Sequence, residues 1–204
     1  GRRDDYFGSA AQDAYVRADL DLRFTEFNRA SIQYENTMER YGGIRFHKNS
    51  LSVEAENNII GWLPFGLFFE VGDSINYDPD NPFLGWGITS GLMLSFKPIK
   101  RLVMGLDYSK STFWESRGGA RLWDYNVLRQ RTSYQLSKTL SLRAIVDYNF
   151  FYNQVFGSVL VSYVLRPGTV FFFGVDTNYF RNDFRRFERD NYSVFVKFSY
   201  WWRV

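Results

Sequence analysis

Tyr192–Arg203 reads YSVFVKFSYWWR. Tyr192, Val194, Val196, Phe198, Tyr200 and Trp202 alternate with Ser193, Phe195, Lys197, Ser199, Trp201 and Arg203. A period of two sends successive side chains to opposite faces of an extended strand. One face of this strand is apolar and rich in rings, while the other is largely polar and carries a lysine. A strand that meets lipid on one side and water on the other needs that division.

The same alternation extends through most of the chain. Eleven strands are expected near 12–25, 30–41, 45–58, 62–74, 84–97, 101–114, 121–136, 139–150, 154–166, 169–181 and 190–203. Each is about a dozen residues long, enough for a tilted strand to cross a bilayer. The first sets Val16, Ala18, Leu20, Leu22 and Phe24 against Arg17, Asp19, Asp21 and Arg23. The second and third fit less cleanly, because Asn36 and Asn57 fall on faces that should be apolar.

Composition points the same way. Aromatic residues make up 20% of the 204 residues, with 21 Phe, 14 Tyr and 6 Trp, and 23% are charged. Mean hydropathy is −0.33, and no run approaches the roughly 18 apolar residues of a membrane helix. Lipid-facing and lumen-facing residues cancel in such averages. No cysteine is present, so disulfides and thiolate metal sites are excluded. A dispersed net charge of +3 gives no footprint for nucleic acid. The expected fold is all-β, an antiparallel transmembrane outer-membrane β-barrel, with residues 1–204 forming one barrel region.

Turn lengths suggest an orientation. Short connections are expected at 27–29, 59–61, 98–100, 137–138 and 167–168. Longer polar ones are expected at 40–44, 75–83, 115–120 and 182–189, with 152–153 a short exception. Short turns are periplasmic in outer-membrane barrels, which puts the C-terminus on the periplasmic side. The first strand then enters from outside. Because bacterial barrels have even strand numbers, the chain reads as the C-terminal portion of a longer, larger barrel.

Several stretches carry a family resemblance. They are Gly72–Tyr77 (GDSINY), Leu84–Gly87 (LGWG), Leu128–Ser137 (LRQRTSYQLS), Leu140–Asn149 (LSLRAIVDYN), Arg166–Thr169 (RPGT), Phe171–Val175 (FFFGV) and Val194–Tyr200 (VFVKFSY). In this order they resemble a family of Gram-negative outer-membrane proteins in which a carbohydrate-binding-like β-sandwich precedes a C-terminal barrel of unknown function. The resemblance covers the C-terminal two-thirds of the chain. It implies an outer-membrane location, a barrel fold and an upstream region, and it transfers no catalytic residue.

Four groups of candidate residues follow from the pattern. Arg17, Asp19, Asp21, Arg23, Glu35, Glu54, Glu70, Asp107, Arg129, Arg131, Arg143, Asp147, Asp176 and Lys197 fall on the polar faces as lumen-facing charges, joined by Glu39 and Glu56. They suit either a lumen that selects a polar solute or internally paired ions. Arg181, Arg185, Arg186 and Arg189, interleaved with Phe184 and Phe187, suit the phosphates of outer-leaflet glycolipid, since guanidinium forks match phosphate oxygens. Trp62, Trp86, Trp114, Tyr163, Tyr200 and Trp202 fall near strand ends, where interfacial girdles form. Asp73, Asp78 and Asp80 read as turn formers ahead of calcium ligands, because a calcium-loop spacing is missing.

Chemistry beyond that is sparse. His47 is the sole histidine, with Ser50 and Ser52 following, but no catalytic motif surrounds it. No phosphate loop, zinc spacing or dinucleotide fingerprint is present, so no catalytic, cofactor-binding or metal residue is expected. The expected role is passage of a polar solute such as a saccharide through a charged lumen. The alternative is a structural or assembly subunit of a larger outer-membrane complex. Expected partners are outer-membrane lipid, lipopolysaccharide and other outer-membrane or periplasmic proteins.

Overall fold

A computed structural model describes residues 2–4, 12–25, 28–181 and 186–201. Its elements are β1 (Arg2–Asp4), β2 (Gln12–Thr25), β3 (Asn28–Tyr41), β4 (Ile44–Asn57), β5 (Phe65–Asn76), β6 (Phe83–Ile99), β7 (Leu102–Trp114), β8 (Arg121–Gln135), β9 (Leu140–Asn149), β10 (Gln154–Arg166), β11 (Thr169–Arg181) and β12 (Phe187–Tyr200). They lie in one sheet in chain order. The eleven long strands are those the alternation marks out. The three-residue β1, paired with β2 through Arg2↔Ala14, is an addition. All-next-neighbour order is what hairpin connections produce, because antiparallel strands need no crossover.

The chain divides into two compact units: residues 1–59, 66–92 and 109–125 in the first, and 60–65, 93–108 and 126–204 in the second. In the first, the apolar row of β2 meets that of β3 through Ala18↔Tyr34, Leu20↔Ile32 and Leu22↔Ala30. β4 continues it through Tyr34↔Leu51, Ile32↔Val53 and Ala30↔Ala55. In the second, rows run unbroken across four strands. Leu142, Val161, Phe173 and Val196 stand side by side, as do Ala144, Val159, Val175 and Val194. These side chains are largely exposed, with Leu20 at 54% and Val196 at 61%. Apolar rows this continuous and this exposed need a non-aqueous neighbour.

Packing is tight on the opposite face, where side chains are small. In the first unit, a Cβ at Gly72 would collide with the Asn49 carbonyl and Ser50 Cα, and one at Gly85 with Phe113. Phe113 is almost wholly buried, stacked on Trp123 at 5.6 Å and 6.0 Å from Phe83. In the second unit Phe195, the apolar misfit on the polar face of β12, stands opposite Gly174, and its ring fills the space where a Cβ would be. A ring lying over a glycine restores contact that glycine cannot supply.

Several boundaries differ from the sequence expectation. The connection expected at 40–44 is a tight turn, with Gly42 at φ 58° and Gly43 at φ 83°. Positive φ at both central residues gives the twist that a two-residue hairpin requires. The short turn expected at 59–61 spans 58–64 instead, because β5 begins only at Phe65. Pro64 therefore lies outside the strand, and its carbonyl accepts from the Ser95 amide at 2.9 Å. β6 runs on through Pro98, and β12 starts at Phe187, within the stretch expected as loop. With these changes, turn lengths alternate less regularly than the pattern implied.

Asn36 and Asn57, the two misfits, have different surroundings. Asn36 Nδ2 donates to Asn49 Oδ1 at 2.8 Å, as does the Tyr34 hydroxyl, also at 2.8 Å. Both bonds stay within the sheet, so the Asn36 amide is satisfied on its own strand face. Asn57 faces Asn28 across the ladder, and both side-chain oxygens are buried without a hydrogen-bond partner among the described residues.

The Gly72 contact yields a test. Gly72→Val should destabilise the folded chain by about 2 kcal/mol or more, since the added atoms meet backbone that cannot rotate away. Gly61→Ala, with nothing within 4 Å of its Cβ, should be near neutral. Urea midpoints of the detergent-folded protein read both.

Candidate functional site

The polar face of each unit gathers the charges the alternation assigns there. On β2–β4, Arg17 stands opposite Glu35, Asp19 opposite Gln33, and Asp21 opposite Ser31, which in turn faces Glu54. Arg17 Nε donates to Asp19 Oδ1 at 2.7 Å, a pair two residues apart on one face of a strand. Arg29 reaches Glu56 at 3.0 Å. Arg23 is opposite Arg29. Glu35 accepts from the Thr37 hydroxyl at 2.7 Å. Glu70 shares the face of Gly72, two residues along β5. Among the described residues, Asp21, Arg23, Glu54 and Glu70 have no ion pair.

A denser network closes the end of β3. Glu39 accepts from Lys48 Nζ at 2.5 Å and from the Tyr77 hydroxyl at 2.8 Å. The Tyr41 hydroxyl donates to the Tyr77 carbonyl at 2.8 Å, and the two rings meet edge to face at 5.1 Å. Burial, followed by the bond to the Glu39 carboxylate, pushes the Tyr77 phenol up to about 12. Sequence reasoning included Glu39 and missed Lys48, Tyr41 and Tyr77. Lys48 was within reach, because it shares the even-numbered face of β4 with Glu54 and Glu56. Tyr77 follows the end of β5, where periodicity gives no direction.

In the second unit Arg129 and Asp147 stand opposite each other on β8 and β9. Nε and Nη2 of the guanidinium each donate to one carboxylate oxygen at 2.7 Å. Arg131 faces Ile145, and Arg143 faces Ser133 on β8 and Leu160 on β10. Asp176 lies between Ser158 and Ser193, while Lys197 faces Phe172. Asp107, on β7, is close enough for its charge to act on Arg129.

The remaining candidates disperse. Arg181 closes β11 opposite Phe187, and Arg189 is a ladder residue opposite Tyr179 with its guanidinium 5.7 Å from the Tyr192 ring. The arginines expected on one loop are thus shared between two strand ends and Arg186, while Arg185 lies outside the described residues. Of the girdle residues, Trp62 packs against Phe96 at 5.9 Å and Trp86 lies under the Arg117 guanidinium at 5.0 Å. Tyr163 faces Phe171, and Tyr200 lies 5.5 Å from the Arg166 guanidinium. Trp114 ends β7, and Trp202 is outside the described residues.

Asp78 Oδ1 accepts from the Asp80 amide at 3.0 Å, the bond of a side-chain turn. Asp73 accepts from the Asn49 amide at 2.9 Å. Among the described residues no group of three or more acids or histidines could hold a metal. His47 faces Met38, on the face opposite to that of Ser50, so the two do not converge.

Comparison with solved structures gives the fold a class. The outer membrane channel DcaP of Acinetobacter baumannii superposes with a TM-score of 0.60 at 11% identity, covering 93% of this chain and 62% of that one. NanC porin gives 0.43 at 12% identity over 96% and 95% of the two chains. KdgM porin in complex with disordered oligogalacturonate gives 0.40 at 11% over 95% and 94%. No protein-family model matches the chain, and neither does any curated protein. The DcaP superposition establishes the fold as that of an outer-membrane β-barrel. This chain spans about 62% of DcaP's length.

The Tyr77 contact predicts a pH dependence. The phenol titrates higher when folded, so its contribution is whole below pH 10 and is lost as pH rises toward 12. Tyr77→Phe should therefore cost about 1 kcal/mol at pH 8. That cost should shrink between pH 10 and 12, as read by urea midpoints at each pH.

Proposed function

We propose that this chain forms the wall of an outer-membrane channel that passes a polar solute, of the size and hydration of a saccharide. One observation carries the reading: in both units the face opposite the apolar rows presents ions left partly unpaired and open to solvent. Arg131, Arg143 and Lys197 are exposed, and Asp21, Arg23 and Glu54 lack ion-pair partners among the described residues. A sealed core does not hold uncompensated charge, whereas a wet lumen solvates it. The DcaP fold, that of an outer membrane channel, supports the same reading.

In this reading the chain resides in the outer membrane without enzymatic activity. The turns at 136–139 and 167–168, and the far end of β12, face the periplasm. Arg181, Arg186 and Arg189, at the other end of β11 and β12, meet the phosphates of lipopolysaccharide. The alternative, an assembly subunit, needs no open passage.

Full-length protein reconstituted in planar bilayers separates the two. Stepwise conductance that persists at saturating sugar in part and is reduced by it is the expected result. Protein that inserts, and that shows heat-dependent migration in SDS, yet passes neither ions nor sugar would overturn the channel reading.

A further inference from the structure

We propose that the polar face of β8 and β9 is an oxyanion-binding step within this passage. It would take solutes that carry a carboxylate or phosphate on a hydrated body. The inference rests on the channel reading for access, and on register for the site itself.

Arg129, Arg131 and Arg143 occupy neighbouring positions on one face of two paired strands. Arg129 is neutralised, because both oxygens of Asp147 are engaged by its guanidinium. Arg131 stands opposite Ile145, and Arg143 stands opposite Ser133 and Leu160. The two are therefore diagonal neighbours, about 7–8 Å apart along the ladder. Neither makes an ion pair or side-chain hydrogen bond among the described residues, and both are exposed. Beyond Asp147, the nearest acid on this face is Asp107 on β7, on the far side of β8 from Arg143, where its charge acts on Arg129. Past β9 the next is Asp176 on β11, two strands on.

Two adjacent guanidinium groups with no acid between them repel each other. The repulsion is relieved when an anion sits between them. Their planar forks offer paired N–H donors of the geometry that carboxylate and phosphate oxygens accept. Ser133 beside Arg131 on β8 and Ser141 beside Arg143 on β9 share this face and add hydroxyl donors. A neutral solute gains little here. Lys197 lies in the same row as Ser141 and Ser162, three strands along at roughly 14 Å, and offers a second cationic step further down the face.

Bilayer currents through the full chain test this with three probes of similar size: glucose, glucuronate and glucose 6-phosphate. Glucuronate and glucose 6-phosphate should reduce the current at concentrations at least tenfold lower than glucose does. The stronger of the two identifies which oxyanion the site prefers. The double variant Arg131→Gln/Arg143→Gln should lose that difference, and Arg131→Lys/Arg143→Lys should keep part of it. Lys138→Gln, in the turn that joins β8 to β9, should leave it unchanged. Equal blockade by all three probes, or an unaltered preference in the glutamine variant, overturns the proposal.

A second readout separates this failure from failure of the channel itself. Glucuronate should raise the unfolding temperature of detergent-folded wild-type protein but not of the glutamine variant. A thermal shift without conductance retains the anion site and removes the channel. Conductance with neither anion preference nor thermal shift does the reverse.

Discussion

Backbone hydrogen bonding in hydrocarbon governs everything else in this molecule. A strand inside a bilayer has no water to satisfy its N–H and C=O groups, so each must pair with a neighbouring strand. Pairing in chain order, β1 to β12, meets that demand for each strand that has a neighbour on both sides. It also forces the side chains into two strictly alternating sets. Once the rows of Leu142, Val161, Phe173 and Val196 face lipid, the intervening residues have no choice of face.

That constraint explains why charge accumulates where it does. The face turned from lipid must be filled by whatever is left, and here it is filled unevenly. Gly72 admits the backbone of Asn49 and Ser50 at close range, and Gly85 admits the ring of Phe113, which is buried. Elsewhere arginines and acids occupy the same face, some joined, as in Arg129 with Asp147, and some not. A joined pair with one member partly exposed contributes little stability. Its larger effect is to remove one cation from an otherwise basic surface and leave Arg131 and Arg143 as the uncompensated ones.

Much of this was legible in the linear chain. Alternation in Val16–Phe24 and in Tyr192–Tyr200 located strands and faces, because a period of two is a local property. The fold class followed from its repetition. Turns were harder. Gly42-Gly43 read as part of a polar loop, but two consecutive positive-φ residues made it a tight hairpin, and Pro64 lay outside a strand that was expected to contain it. The arginines expected on one loop separated because the ladder continues to Phe187 opposite Arg181. Hairpin length depends on where the ladder stops, which the neighbouring strand decides.

The closing stretch shows the division most plainly. Its alternation alone determined that residues 192–200 form a strand with an apolar row and a polar row, since neighbouring side chains of extended backbone must diverge. It did not determine why Phe195 sits in the polar row, nor which charges lie beside Lys197. Register decided both, placing Gly174 under the Phe195 ring and Phe172 opposite Lys197. Register likewise joined Arg129 to Asp147 and left Arg131 facing Ile145. Periodicity is written in one strand, whereas a register exists only between two.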